Sequence, residues 1–155
     1  MPIATERLLL EEPDDAERAA IATRDRAGRA WAADYPTDGD VVAATMTAAA
    51  PWLGFQVRER SSGLAIGGVG FHGAPDAEGA VEIGYGLAES ARGKGYATEA
   101  VAALVAYARD RGARAVIART EPGNAPSAAV LDRCGFLLER PAEGDDDLHV
   151  HRRVL

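Results

Sequence analysis

Apolar positions fall in short blocks whose period changes along the chain. Arg7-Leu8-Leu9-Leu10-Glu11 is a brief apolar run closed by Pro13, and Asp14-Asp15 then leads into an Ala-rich segment with Ile21. This is the pattern of a strand followed by a helix. A second helix is expected from about Asp40 to Ala50, carrying Val41 and Met46, with Pro51 as its stop. From Gly54 the period becomes two. Phe55-Gln56-Val57-Arg58 alternates, Ser61-Ser62-Gly63 turns, and Leu64 to Phe71 continues as a glycine-rich strand. Val81, Ile83, Tyr85 and Leu87 then share one strand face, and Glu82, Gly84 and Gly86 share the other. Glycines weaken a strand interior, so they point to a bulge or to a close approach of something to the backbone, a ligand being one candidate.

The period returns to helical between Ala97 and Arg111, with Ala97, Val101, Leu104, Val105 and Ala108 on one stripe and Gly112 after the last turn. Ala115 to Ala118 reads as a short buried strand, and Pro122-Gly123-Asn124 as a turn. Pro126 suits the first turn of another helix, with Ser127, Val130, Leu131 and Cys134 on its stripe and Gly135 as terminator. Phe136 to Glu139 and Leu148 to Val154 close the chain as strands. The 155 residues show no repeat or linker, so one domain spanning 1–155 is expected.

A formal net charge of −7 argues against a nucleic-acid partner, because such binding draws on neutralised phosphates. Any anion must therefore be held locally. Seventeen basic side chains include a single lysine, Lys94. No apolar run approaches the roughly 18 residues of a membrane span, and the first residues lack the basic and apolar regions of a signal peptide. A cytoplasmic protein without a membrane partner is expected. Cys134 stands alone, so an internal disulfide is excluded.

The clearest strand joins the clearest helix through Leu87-Ala88-Glu89-Ser90-Ala91-Arg92-Gly93-Lys94-Gly95-Tyr96-Ala97. A helix N-terminus offers unpaired N–H groups, and glycines let a phosphate reach them. Two better-known phosphate loops fail on spacing. A Walker A motif would need glycine where Ala88 stands and Ser or Thr where Gly95 stands, and the dinucleotide fingerprint would need glycine at Thr98.

Arg92-Gly93-Lys94-Gly95-Tyr96-Ala97 instead resembles the Q/R-x-x-G-x-G/A motif of the GNAT superfamily of acyl-CoA-dependent N-acyltransferases. Asn124-Ala125-Pro126-Ser127 through Arg133-Cys134-Gly135-Phe136 resembles the N-x-x-S…R-x-G-F signature of its RimJ/RimL-like branch. Thr5-Glu6-Arg7-Leu8-Leu9-Leu10 is similar to that branch's first strand, so the resemblance covers nearly the whole chain.

The resemblance implies an α/β (α+β) fold with a central, mostly antiparallel, splayed mixed sheet of about six to seven strands flanked by about four helices. It implies acetyl-CoA as cosubstrate, with the amides from Arg92 through Gly93, Lys94, Gly95 and Tyr96 to Ala97 around the pyrophosphate. Leu87-Ala88 would pair with pantetheine, and Asn124 would sit beside it. The chemistry is attack of a neutral amine on a thioester, which calls for a base because amines are largely protonated near neutral pH. Glu82 matches the branch's carboxylate and is the leading candidate, a structural ion pair being its plainer reading. His72 is the second candidate. The residue seven after Asn124 is Leu131, where many members carry a tyrosine as acid; the resemblance to the RimL-like branch implies a sulfur-stabilising role for Ser127, with helix capping or packing as the alternative.

Cys134 reads as core. His149 and His151 share a strand face, but without further clustered ligands no metal is expected. Asp145-Asp146-Asp147 reads as a solvated loop able to attract a cationic amine. The acceptor is a small amine or a protein N-terminus, and the chain a monomer or homodimer. A non-catalytic acyl-CoA-binding or sensing module is the competing expectation, motivated by Leu131.

Overall fold

The strand signals assemble into one open sheet of eight strands. The structure is a computed structural model and describes residues 2–144 and 146–155. In chain order the elements are β1 (Ile3–Ala4), β2 (Leu8–Glu11), α1 (Asp15–Thr23), α2 (Asp38–Ala44), β3 (Gly54–Glu59), β4 (Ala65–Phe71) and β5 (Ala80–Leu87). A short 3-10 turn, Glu89–Ala91, precedes α3 (Tyr96–Asp110), β6 (Ala115–Thr120), α4 (Ala125–Arg133), β7 (Leu137–Arg140) and β8 (His149–Val154).

The strand order is β1-β2-β3-β4-β5-β6-β8-β7, and only the β5–β6 pair is parallel. The sheet exceeds the expected six or seven strands because β1 has two residues, too few to carry a periodicity. The four α-helices agree with expectation. Helices α1 and α2 cover one face, while α3 and α4 cover the other.

Burial on both faces changes the meaning of the alternation in β3. Gln56 is only 4% exposed, although it alternates with Phe55 and Val57. Its amide donates to Glu17 Oε2 at 2.8 Å and to Tyr35 Oη at 3.1 Å, which satisfies it beneath α1. The stripe on α3 is buried at Val101, Leu104, Val105 and Ala108 against β2, β4 and β5. Cys134 lies in this core, where burial pushes its thiol pKa up and Sγ faces Thr98 O at 3.5 Å.

Helix α2 departs from the expected Asp40–Ala50. A capping box starts it earlier: Thr37 Oγ1 accepts from Asp40 N at 3.2 Å, and Asp40 Oδ2 accepts from Thr37 N at 2.9 Å. It ends at Ala44, with Thr45 as its C-cap and well before Pro51, because Val42 and Met46 border an open cavity, remain largely exposed, and bury too little apolar surface to hold further turns.

The two C-terminal histidines have separate partners: Thr120 Oγ1 lies 2.9 Å from His151 Nε2, and Ala142 N donates to His149 Nδ1 at 2.8 Å. Burial lowers the His151 pKa. In the acidic loop, Asp147 accepts from Arg140 at 2.9 Å and from Glu143 N at 3.1 Å, while Asp145 lies outside the described residues. No helix among the described residues is long and apolar enough to cross a membrane.

Candidate active site

The sheet comes apart where its one parallel junction ends. Pairing of β5 with β6 runs from Ala80–Ala115 to Ile83–Ala118 and goes no further. Beyond it, Gly84 to Leu87 pair only with β4, and Arg119 and Thr120 pair only with β8. A cavity of about 800 Å³ occupies the gap, with Glu82, Gly86, Arg92, Arg119, Asn124 and Ser127 among its walls.

The glycine loop stands at one end of this cleft. Gly93 and Gly95 take positive φ values of 78° and 82°, a conformation that favours glycine. The resulting turn leaves the amides from Gly93 to Thr98 without an acceptor among the described residues, and α3 has no side-chain cap. Such free donors at the positive end of a helix dipole are able to hold an anion. Lys94 places Nζ 6.0 Å from the Tyr96 ring centroid. Arg92 folds back, its Nε donating to Leu87 O at 3.1 Å.

Ala88 differs from expectation in one respect. Its N–H donates to Ile66 O at 2.7 Å and its carbonyl accepts from Ala91 N at 2.9 Å, so both groups are already engaged. The edge of β5 that no second strand pairs lies instead at Gly84 to Leu87, where Leu87 O already accepts from Arg92 Nε.

Sequence reasoning missed what holds the loop. Arg7 Nη1 donates to Lys94 O at 2.7 Å, while its Nε and backbone N each donate to Glu99 at 2.8 Å. Thr5 adds a bond to the same carboxylate at 2.5 Å. Burial tends to raise the Glu99 pKa, but these bonds outweigh it and the net shift is downward. The available signal was an acid in the first turn of α3 together with a basic residue opening β2.

The structure joins the two candidate bases. Glu82 Oε2 lies 3.2 Å from His72 Nδ1, and Arg119 Nε donates to Glu82 Oε1 at 3.1 Å. The glycines explain why the imidazole fits: a Cβ on Gly84 would collide with His72 Nε2, whereas one on Gly86 would meet nothing within 4 Å. The close approach anticipated from the sequence is thus partly the protein's own histidine. The register shift in the neighbouring strands falls at Val57–Arg58, away from these glycines.

Tyr85 points to the opposite face and reaches α4. Its hydroxyl lies 2.5 Å from Ser127 Oγ and 3.2 Å from Ser127 O. Burial raises the phenol pKa. Asn124 caps α4 by accepting from Ser127 N at 3.2 Å, so the serine contributes its amide to the cap and keeps its hydroxyl for Tyr85. Leu131 is fully buried in the core.

A second cavity of about 580 Å³ lies between α2 and β3–β5. It shares Thr37, His72, Gly84 and Gly86 with the cleft, so the two spaces meet at the Glu82–His72 pair.

Known proteins resemble this chain in sequence and in fold. Residues 7–137 match the family model described as Acetyltransferase (GNAT) domain. YdaF of Bacillus subtilis (strain 168), provisionally assigned as a ribosomal N-acetyltransferase, is 33% identical over 95% of this chain and 84% of its own length. The uncharacterized N-acetyltransferase YjdG of the same organism is 40% identical over 47% of this chain; the matched stretch spans 44% of YjdG, less than half its length. Among solved structures, the ribosomal alpha-N-protein acetyltransferase RimL in complex with coenzyme A superposes with a TM-score of 0.72 at 21% identity, covering 100% of this chain and 98% of that one.

Proposed function

The chain belongs to the GNAT acetyltransferase family, and from that premise we propose that it is a single-domain enzyme moving an acetyl group from acetyl-CoA to a primary amine in one ternary complex. The observation that carries this reading is the meeting of the split sheet with the row of free amides from Gly93 to Thr98. The amides lie where a pyrophosphate can be held while a thioester enters between β5 and β6. Lys94 adds charge beside them, and the outer edge of β5 at Tyr85 and the Leu87 N–H takes the pantetheine amides in the manner of an added strand. Asn124 lines the same arm.

The residues at the split divide the proton transfers. The amine nitrogen attacks the thioester carbonyl and gives up its proton to His72, which Glu82 orients through Nδ1. Collapse of the tetrahedral adduct breaks the carbon–sulfur bond. The departing thiolate accepts a hydrogen bond from the Ser127 hydroxyl, which Tyr85 holds, and takes its proton from solvent as coenzyme A leaves. Tyr85 thereby offers a route around the absence of a tyrosine at Leu131.

Two assays test the reading together. Acetyl-CoA is expected to raise the melting temperature by several degrees, and an amine panel that includes peptide N-termini is expected to release free coenzyme thiol. No thermal shift at saturating acetyl-CoA overturns the proposal. A shift with no thiol release from any amine supports a binding or sensing module instead.

A further inference from the structure

The cavity beneath α2 holds a carboxylate that the folding of the chain leaves incompletely used. Asp40 is 8% exposed, and its Oδ2 accepts from Thr37 N at 2.9 Å and from Thr37 Oγ1 at 2.8 Å. Oδ1 has no hydrogen-bond partner among the described residues, yet no fully buried side-chain oxygen there lacks one. Oδ1 therefore opens on the cavity that Asp40 lines. The walls around it are mainly apolar, with Ile21, Val42, Met46 and Phe55 contributing. The other charged groups of the lining are engaged or distant from the floor: Arg18 leans on Pro13 O at 3.5 Å, and Asp38 is exposed and paired with Arg24.

Sheet register places this oxygen relative to the reaction centre. Asp40 Oδ1 stands over Gly68, 2.6 Å from where a Cβ would lie, and Gly68 pairs with Gly86. His72 Nε2 stands over Gly84, two residues along β5 on the same face. Diagonal neighbours of an antiparallel pair are about 7–8 Å apart, so an acceptor of that reach touches both groups. Gly86 leaves the floor between them open.

Resting on the acetyl-transfer reading, we propose that this cavity binds a short aliphatic diamine, with its distal ammonium on Asp40 and its reacting nitrogen at His72. The distal nitrogen stays protonated and forms a charge-assisted bond to Oδ1, while the methylenes lie on the apolar wall. The reacting nitrogen loses its proton as described above. The net charge of −7 favours approach of a dication.

Calorimetry on the full chain saturated with coenzyme A tests the site with cadaverine and n-pentylamine, which match in length and differ in the second nitrogen. Cadaverine is expected to bind at least about tenfold more tightly, the size of one charge-assisted hydrogen bond. Asp40→Asn keeps an acceptor for Thr37 and is expected to reduce the difference to about twofold, with the melting-temperature rise on coenzyme A confirming that the variant folds. Equal affinities in the native protein, or a preference that survives Asp40→Asn, overturn the proposal. Selective diamine binding without acetylation of any amine supports the site and overturns the acetyl-transfer reading instead.

Discussion

Tyr85 and Ser127 join β5 to α4 across the point where the sheet opens, with 2.5 Å between their hydroxyl oxygens. In the mechanism proposed above Tyr85 donates to Ser127 Oγ, and burial, which raises the phenol pKa, keeps that proton on the ring oxygen. The serine's own proton is then free to turn toward the thioester sulfur.

Tyr85→Phe removes that donor without removing the ring. The expected result is a fall in kcat of about tenfold with the KM for acetyl-CoA changed less than about twofold, since one hydrogen bond is lost and binding surface is kept. Ser127→Ala is expected to cost more than Tyr85→Phe, and the double variant little more than Ser127→Ala alone. Additive losses in steady-state kinetics would show that the two hydroxyls act separately.

The Glu82–His72 pair makes a second prediction. His72→Gln is expected to lower kcat about 100-fold or more, in the range for loss of a general base, while the thermal shift with acetyl-CoA persists. Glu82→Gln retains an oxygen toward Nδ1 and is expected to lose less. If Glu82→Gln abolishes turnover and His72→Gln spares it, the carboxylate is the base and the imidazole its neighbour.

Glu99 supplies a pH-dependent brace for the coenzyme loop. Its folded pKa lies below the ordinary carboxylate value, so its contribution is fully present above the unfolded pKa and is lost as pH falls through the folded one. Glu99→Gln is expected to destabilise the fold by about 1 kcal/mol at pH 7, with the gap closing below about pH 4. Urea unfolding at the two pH values measures it. The same variant is expected to weaken acetyl-CoA binding several-fold at pH 7, because Arg7 loses the partner that aligns it on Lys94 O.

Gly84→Ala tests the fit of the imidazole. A methyl group there meets His72 Nε2, so the ring must move. Turnover is expected to fall at least about tenfold, as expected for a misplaced base, with coenzyme binding kept. An unchanged rate would place the working position of His72 elsewhere.

Much of the site was legible because its signals are local. Gly93 and Gly95 fall in the loop that the sequence singled out before its clearest helix, and the lone lysine stands between them. The α3 stripe and the two faces of β5 follow from periods of 3.6 and 2.0. The end of α2 was misread because its apolar residues are exposed, and a pattern does not tell whether a surface exists to receive it.

What sequence alone determined was therefore the loop, its helix, the strand before it and a short roll of candidates that included Glu82, His72 and Ser127. The tertiary structure decided their partners. Tyr85 meets Ser127 from 42 positions away, Arg7 meets Glu99 from 92, and Asp40 reaches Gly68 only because α2 lies across the sheet. Backbone preferences act over a few residues and leave a local trace. Pairings between distant side chains arise from strand order, register and the gap between β5 and β6, which no local pattern records.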